Sequence, residues 1–249
     1  MSKILTFDCY GTLLDTSPLY NFIGKIAMNN GLSGQKAINI FSSYEDRLMY
    51  GEDFINYDEL LFEVLRYCDM EMNCNSFAAQ YDKIIDIHRE FMPFSDVLET
   101  LHKLKQNGYS LAVMSNTTNQ IMDWHLEKLK NIFDDRLVAE DTKCYKPNLL
   151  FFKMAERKFN LKIQEHCHIA KGYWWDIVPA KKMGWNKIWV NRSHLSHGRN
   201  TESPYLTVSA LSELPQIWKR QLPIYKVKIL NLRRNKCNSE NIWHQTVTS

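Results

Sequence analysis

Five short apolar runs punctuate the chain: Ile4 to Phe7, Leu111 to Met114, Leu137 to Ala139, Cys167 to Ala170 and Lys187 to Val190. Each is too continuous for a strand with one wet face, so the pattern predicts strands covered on both sides. Between the later runs, apolar residues recur at helical spacing over Asp96 to Gln106, Asn119 to Asn131, Leu149 to Phe159 and Ile177 to Met183, with Gly or Asn near many of the ends. Alternating strands and helices predict an α/β fold whose parallel sheet is joined by right-handed crossovers.

The alternation breaks between about Thr16 and Phe91. No strand pattern is found there, and helical periodicity covers Leu19 to Met28, Lys36 to Tyr50, Tyr57 to Cys68 and Phe77 to Glu90. A helical insertion that follows the first strand and returns through Met92-Pro93-Phe94 reads as a lid over the carboxyl edge of the sheet. Open α/β sheets bind ligands at that edge, and a lid there excludes water. The expected division is a core of residues 1–15 and 93–220, a helical cap of residues 16–92, and a tail of residues 221–249 that stays unassigned.

Composition changes this picture little. With 249 residues, 45% hydrophobic and 24% charged, the chain can bury one core and a smaller module. No window approaches the roughly 18 to 20 apolar residues of a bilayer span, and Met1 leads directly into a strand-like run, so a cytoplasmic protein without a membrane partner is expected. The net charge of +3 is unevenly placed: from Lys219 onward seven basic residues face one acid, Glu240. The rest is mildly acidic and offers no broad cationic face to nucleic acid. Six cysteines without a CxxC pair suggest reduced thiols rather than zinc or disulfides. His166 and His168 point to one face of a strand with no third ligand in view, and read as core histidines.

Chemistry concentrates at the strand ends. Phe7-Asp8-Cys9-Tyr10-Gly11-Thr12-Leu13-Leu14-Asp15 puts a carboxylate at the end of a buried strand, followed by a Gly-Thr turn. A carboxylate there is costly unless it is satisfied or working. Asp8 can cap the turn, or it can attack an electrophilic carbon or phosphorus while Gly11 and Thr12 offer an amide and a hydroxyl to an anion. The residues alone leave both readings open.

Asp8, Gly11, Thr12, Leu13 and Asp15 together resemble the first motif of the haloacid dehalogenase superfamily, in which Asp8 is the nucleophile. Leu111 to Asn116 resembles the second motif, where Ser115 binds an anion. Tyr145-Lys146-Pro147 resembles the third, whose lysine holds the charge of nucleophile and substrate. His168 to Asp176 resembles the fourth. The similarity spans roughly residues 3 to 218 and implies a Rossmann-like parallel sheet with an α-helical cap. Phosphatases of this superfamily usually carry a general-acid Asp two residues after the nucleophile; here that residue is Tyr10. Asp-x-Tyr-Gly-Thr with Ser115-Asn116 is similar to the type II, (S)-2-haloacid dehalogenase branch, where halide leaves without a proton.

That resemblance implies a hydrolase acting on a small 2-halo or related carboxylic acid through an aspartyl ester. Asp8 attacks, Lys146 and Lys171 stabilise charge, and Asp176 orients Lys146 or water. Thr12, Ser115 and Asn116 bind the anion, with Tyr10 and Gly11 beside them. Lys171 stands where a magnesium-binding member has a carboxylate, so no cofactor is expected and magnesium is disfavoured. Where the family has a cap arginine, this chain has Tyr44 or Glu45, with Arg47 one turn on. Phe152 replaces a tyrosine six residues after Lys146, and Tyr173 stands near an expected asparagine. Tyr44, Arg47, Phe152 and Tyr173 are accordingly expected around the substrate. The alternatives are a small-metabolite phosphatase and a catalytically silent binding or regulatory protein; a homodimer is compatible with the sequence.

Overall fold

A computed structural model of the chain describes residues 3–51, 53–196 and 198–219. The unassigned tail, residues 221–249, lies outside the described residues, as does Cys237. Six parallel strands form one sheet: β1 (Lys3–Asp8), β2 (Tyr109–Ser115), β3 (Asp135–Val138), β4 (His166–Ala170), β5 (Asn186–Val190) and β6 (Leu206–Val208), in the order β3-β2-β1-β4-β5-β6. This is the doubly wound order, and it puts β1 at the centre, between β2 and β4. The five predicted runs fall in β1 to β5. The expectation for the third run overshoots at Ala139, which opens the short helix α7 (Ala139–Thr142). β6 was not expected, because its three residues are too few to show a period, and Thr207 in its middle is exposed.

Helices flank the sheet: α5 (Val97–Gln106), α6 (Asn119–Lys128), α8 (Leu149–Lys158), α9 (Val178–Lys182) and α10 (Leu214–Lys219). Predicted to run to Asn131, α6 stops earlier, because Lys130 and Asn131 adopt left-handed φ of 56° and 51°. Burial explains why β1 reads as a continuous apolar run: Leu5 and Phe7 are fully covered, and Phe7 meets Phe133 edge to face at 5.9 Å.

Between β1 and α5 lie α1 (Ser17–Asn29), α2 (Gly34–Gly51), α3 (Tyr57–Met72) and α4 (Tyr81–Arg89), the helical cap. Their apolar stripes, including Ile23, Phe41, Leu61 and Leu65, join one continuous core with the sheet. The last expected cap helix divides: a 3-10 turn (Ala78–Gln80) precedes α4, and the Asp69 carboxylate accepts from the Phe77 and Ala78 amides, 2.9 Å each. The chain leaves and re-enters the core through one neck, closed by Asp15 N–H donating to Met92 O (2.9 Å) and Phe94 N–H to Leu13 O (3.0 Å). Among the described residues no helix is long and apolar enough to cross a membrane.

Candidate active site

The carboxyl ends of β1, β2 and β4 converge below the cap and form the floor of a cavity of about 300 Å³. Asp8, the last residue of β1, is 7% exposed and lines it. Two donors grip its carboxylate. Lys146 Nζ lies 2.8 Å from Oδ1, and Thr12 Oγ donates to Oδ2 at 2.6 Å. Lys146, 1% exposed, also donates to Asp176 Oδ1 at 2.7 Å and to Met114 O at 3.0 Å. All three ammonium protons are thereby committed to the protein.

Burial pushes the Asp8 carboxyl up, with the like charge of Asp176 adding to it and Lys146 pulling the other way. Burial also pushes Asp176 up, but Lys146 and the hydrogen bond from His168 outweigh it and hold this carboxyl low. Burial works to lower Lys146, and the two carboxylates more than reverse it. The triad is an ion cluster with one ammonium between two carboxylates.

A row of buried side chains supports Asp176 from within the sheet. His168 Nε2 donates to Asp176 Oδ1 at 3.0 Å, and its Nδ1 is hydrogen-bonded to Thr6 Oγ at 2.8 Å. Thr6 Oγ in turn accepts from His166 Nε2 at 2.8 Å. Registry explains the row, since Ile4 pairs with His166 and Thr6 with His168 across β1 and β4. These histidines are core residues, as their spacing suggested, yet one of them touches the site. Gly172 is required by close approach: a Cβ there would lie 2.4 Å from Asp176 Oδ2.

The turn after Asp8 also serves the carboxylate. Gly11 has a left-handed φ of 71°, and a Cβ on it would meet Lys171 Cδ at 3.3 Å and Nζ at 3.7 Å, so glycine lets the lysine lie across the loop. Lys171 N–H donates to Thr12 Oγ at 2.8 Å, tying the fourth motif to the first. Arg192, which sequence reasoning missed, clamps this loop by donating to Thr12 O (3.0 Å) and to both Asp96 oxygens (3.0 and 3.3 Å).

Several expected anion binders are occupied otherwise. The Gly11 amide donates to Leu14 O at 2.8 Å, and the Thr12 hydroxyl to Asp8. Ser115 is fully buried beside the Tyr10 phenol and does not line the cavity. Asn116 does line it, but its amide brackets the main chain of residue 146, accepting from Lys146 N (2.7 Å) and donating to Lys146 O (3.0 Å). Tyr10 lines the cavity with its hydroxyl turned to Thr117 Oγ (3.0 Å) and His125 Nδ1 (3.3 Å).

Four expectations are corrected outright. Tyr44 stacks on Tyr67 at 4.2 Å and donates to Glu71 at 2.8 Å, outside the cavity, and the exposed Arg47 lies over the Tyr44 ring at 5.0 Å. Both sit on the wet side of α2, because the helix turns Ser42, Glu45, Asp46 and Met49 inward. Phe152 is fully buried against His168 and Trp185. Tyr173 packs on Trp189 and Tyr205 and donates to Arg199 O at 3.0 Å, at the sheet edge. Arg47→Ala is therefore expected to leave turnover within about threefold of wild type in a steady-state assay, as for a surface residue.

A family model described as haloacid dehalogenase-like hydrolase matches residues 5–190. The chain belongs to this family. It is a hydrolase of the haloacid dehalogenase type. It is 27% identical over 198 residues to the (S)-2-haloacid dehalogenase 4A of Burkholderia cepacia, covering 76% of this chain and 83% of the relative. It is also 27% identical to the glyceraldehyde 3-phosphate phosphatase of Pyrococcus furiosus, over 86% of this chain and 91% of that one. Among solved structures, an L-2-haloacid dehalogenase superposes with a TM-score of 0.78 at 18% identity, covering 88% of this hydrolase and 99% of that chain, a likeness of fold.

What sequence reasoning missed lies on the cap wall. Tyr20, Tyr57 and His88 face the cavity with Glu45, from four different helices. Tyr57 donates to Glu45 Oε1 at 2.7 Å and Tyr20 to Oε2 at 3.4 Å. No local spacing signals such a group; only the alignment of α2 with the family's cap arginine drew notice to Glu45.

Proposed function

We propose that this hydrolase displaces halide from a small 2-halo acid or a related compound, with Asp8 as covalent nucleophile. An Asp8 oxygen forms a bond to the halogen-bearing carbon, and the carbon–halogen bond breaks, its electron pair leaving with the halide. Lys171, lying across Gly11 at the cavity, supplies positive charge to the departing halide. Water then adds to the Asp8 ester carbonyl carbon, and the hydroxylated product departs with an oxygen that came from Asp8. Asp176, oriented by His168, helps receive the proton of that water.

The observation that carries this reading is the Asp8 carboxyl group at the cavity floor, paired with Lys146 and aimed by Thr12. An oxyanion nucleophile needs its charge present but accessible, and an ammonium that also serves Asp176 leaves lone pairs of Asp8 toward the cavity.

A divalent ion fits this donor set poorly. Asp8 and Asp176 already share one ammonium, a second lysine lines the same cavity, and no group of three metal-ligating side chains exists among the described residues. We therefore favour metal-free chemistry. The phosphatase reading is weakened by Tyr10. Burial pushes its phenol well up, and the hydroxyl is directed at Thr117, so it is a poor substitute for the missing general acid.

Single turnover in ¹⁸O-water with 2-chloropropionate or its amide tests the ester. The first product is expected to carry ordinary oxygen, and the label to enter Asp8. Immediate labelling of product would refute the intermediate. Phosphate release from an ester panel with magnesium, in the absence of chloride release, would favour the phosphatase.

A further inference from the structure

The cavity has two chemically different ends. The core end carries Lys146 and Lys171, whereas the described residues that the cap contributes include two carboxylates, Glu45 and Asp46, and no lysine or arginine. The Glu45 carboxylate is built in rather than incidental. Tyr57 and Tyr20 donate to its two oxygens, and Tyr57 is itself backed by His88, whose Nε2 lies 3.4 Å from the phenol oxygen. Burial holds His88 neutral, so its ring can donate to Tyr57 and set the direction of the row: His88 to Tyr57 to Glu45. A carboxylate fixed in this way by two phenol donors offers its remaining lone pairs as acceptors. A ligand carboxylate placed against it brings only acceptors and a like charge; a ligand N–H brings what the wall lacks.

We propose that the substrate carries a hydrogen-bond-donating nitrogen, as in the primary amide of a small 2-halo acid, where a free acid would carry its carboxylate, and that Glu45 selects it. This rests on the reading that Asp8 displaces halide from the same cavity. The halogen-bearing carbon lies toward Asp8 and Lys171 and the N–H end toward the cap. No change in the chemical step is required, since an amide carbonyl activates the neighbouring carbon much as a carboxylate does. Specificity of this kind comes from both terms: an attraction to the donor and a repulsion of the acid. Burial pushes the Glu45 carboxyl up to about 7, with Tyr57 opposing and Asp46 adding to the rise, so at pH 8 the repulsive charge is present.

Chloride release from 2-chloropropionamide and 2-chloropropionate, measured at pH 8 with the full-length wild type and with Glu45→Gln, tests the assignment. The wild type is expected to favour the amide in kcat/KM by about 100-fold, within the range expected when a buried polar group is left without its partner. Glu45→Gln should shrink that preference by at least about tenfold, mainly through a lower KM for the acid, because it removes the charge while keeping an acceptor for Tyr57. A wild type that prefers the acid, or a preference unmoved by Glu45→Gln, overturns the assignment. Should the wild type release chloride from neither compound, the dehalogenation reading fails on its own. The assignment is then decided by ligand-detected NMR of the unreactive pair propionamide and propionate: tighter binding of propionamide that weakens in Glu45→Gln supports it, and equal, reversed or absent binding overturns it.

Discussion

Asp8→Asn is expected to lower kcat by about 10⁴-fold or more, as befits loss of a covalent nucleophile, while leaving the protein folded. The two consequences separate because the amide keeps the shape of the carboxyl: its oxygen can still accept from Lys146, and its NH2 can donate to the Thr12 hydroxyl, which turns to accept. Lys146 also keeps Asp176 and Met114 O, so its ammonium is not stranded. Removing one of two like charges around a single ammonium relieves some of the repulsion that raises Asp8, and thermal stability should change by no more than about 1 kcal/mol. Rapid-quench measurement should show the first-turnover chloride burst vanish with the steady state. A variant that retains a burst would remove Asp8 from the covalent step, whatever its steady-state rate.

How much of this was legible beforehand depended on whether a residue's role is set by its own strand. Asp8 ends β1, where a carboxylate in an apolar run is visible in one dimension, whereas Lys146 and Asp176 were marked only by resemblance to family motifs; the structure brings both carboxylates within 2.8 Å of the Lys146 ammonium. The five main strands were legible for the same reason: burial on both faces leaves unbroken apolar runs.

Roles shared between helices were not legible. Glu45 acquires its partners only when α1, α2 and α3 pack, so Tyr20 and Tyr57 carry no local mark. Tyr44 and Arg47 were placed at the substrate by their nearness in sequence to the expected cap arginine, yet a shift of one to two residues on a helix turns a side chain by 100° to 200°, from the cavity to solvent. His168 was read correctly as a core residue, but its bond to Asp176 depends on a loop that folds back from eight residues downstream. Thr12 and Ser115 show that a motif can mark the right neighbourhood while the hydroxyl is not offered to a ligand: that of Thr12 serves Asp8, and that of Ser115 is buried away from the cavity.

The largest expected effect on stability belongs to Lys146. Lys146→Met replaces a buried ammonium with an apolar chain of similar length and leaves Asp8 and Asp176 facing each other without their shared cation. Breaking one side of a buried ion cluster costs about 3 to 5 kcal/mol, or a fall in melting temperature on the order of 10 °C for a protein of this size. The loss should depend on pH in a direction opposite to that of the wild type. With Lys146 in place Asp176 is held low, so its pairing stabilises the fold at neutral pH and is lost only as pH falls through its depressed pKa. Without the ammonium, burial alone acts on both carboxyls and raises them, so the folded variant binds protons that the unfolded chain does not. Its deficit relative to wild type is then greatest near pH 8 and narrows toward pH 5. Adding Asp176→Asn to Lys146→Met should recover part of the stability at pH 8, since one of the two stranded charges is gone, without recovering turnover. A deficit that is independent of pH would mean that lost packing, and not the stranded carboxylates, sets the cost, and the electrostatic account of this triad would have to be abandoned.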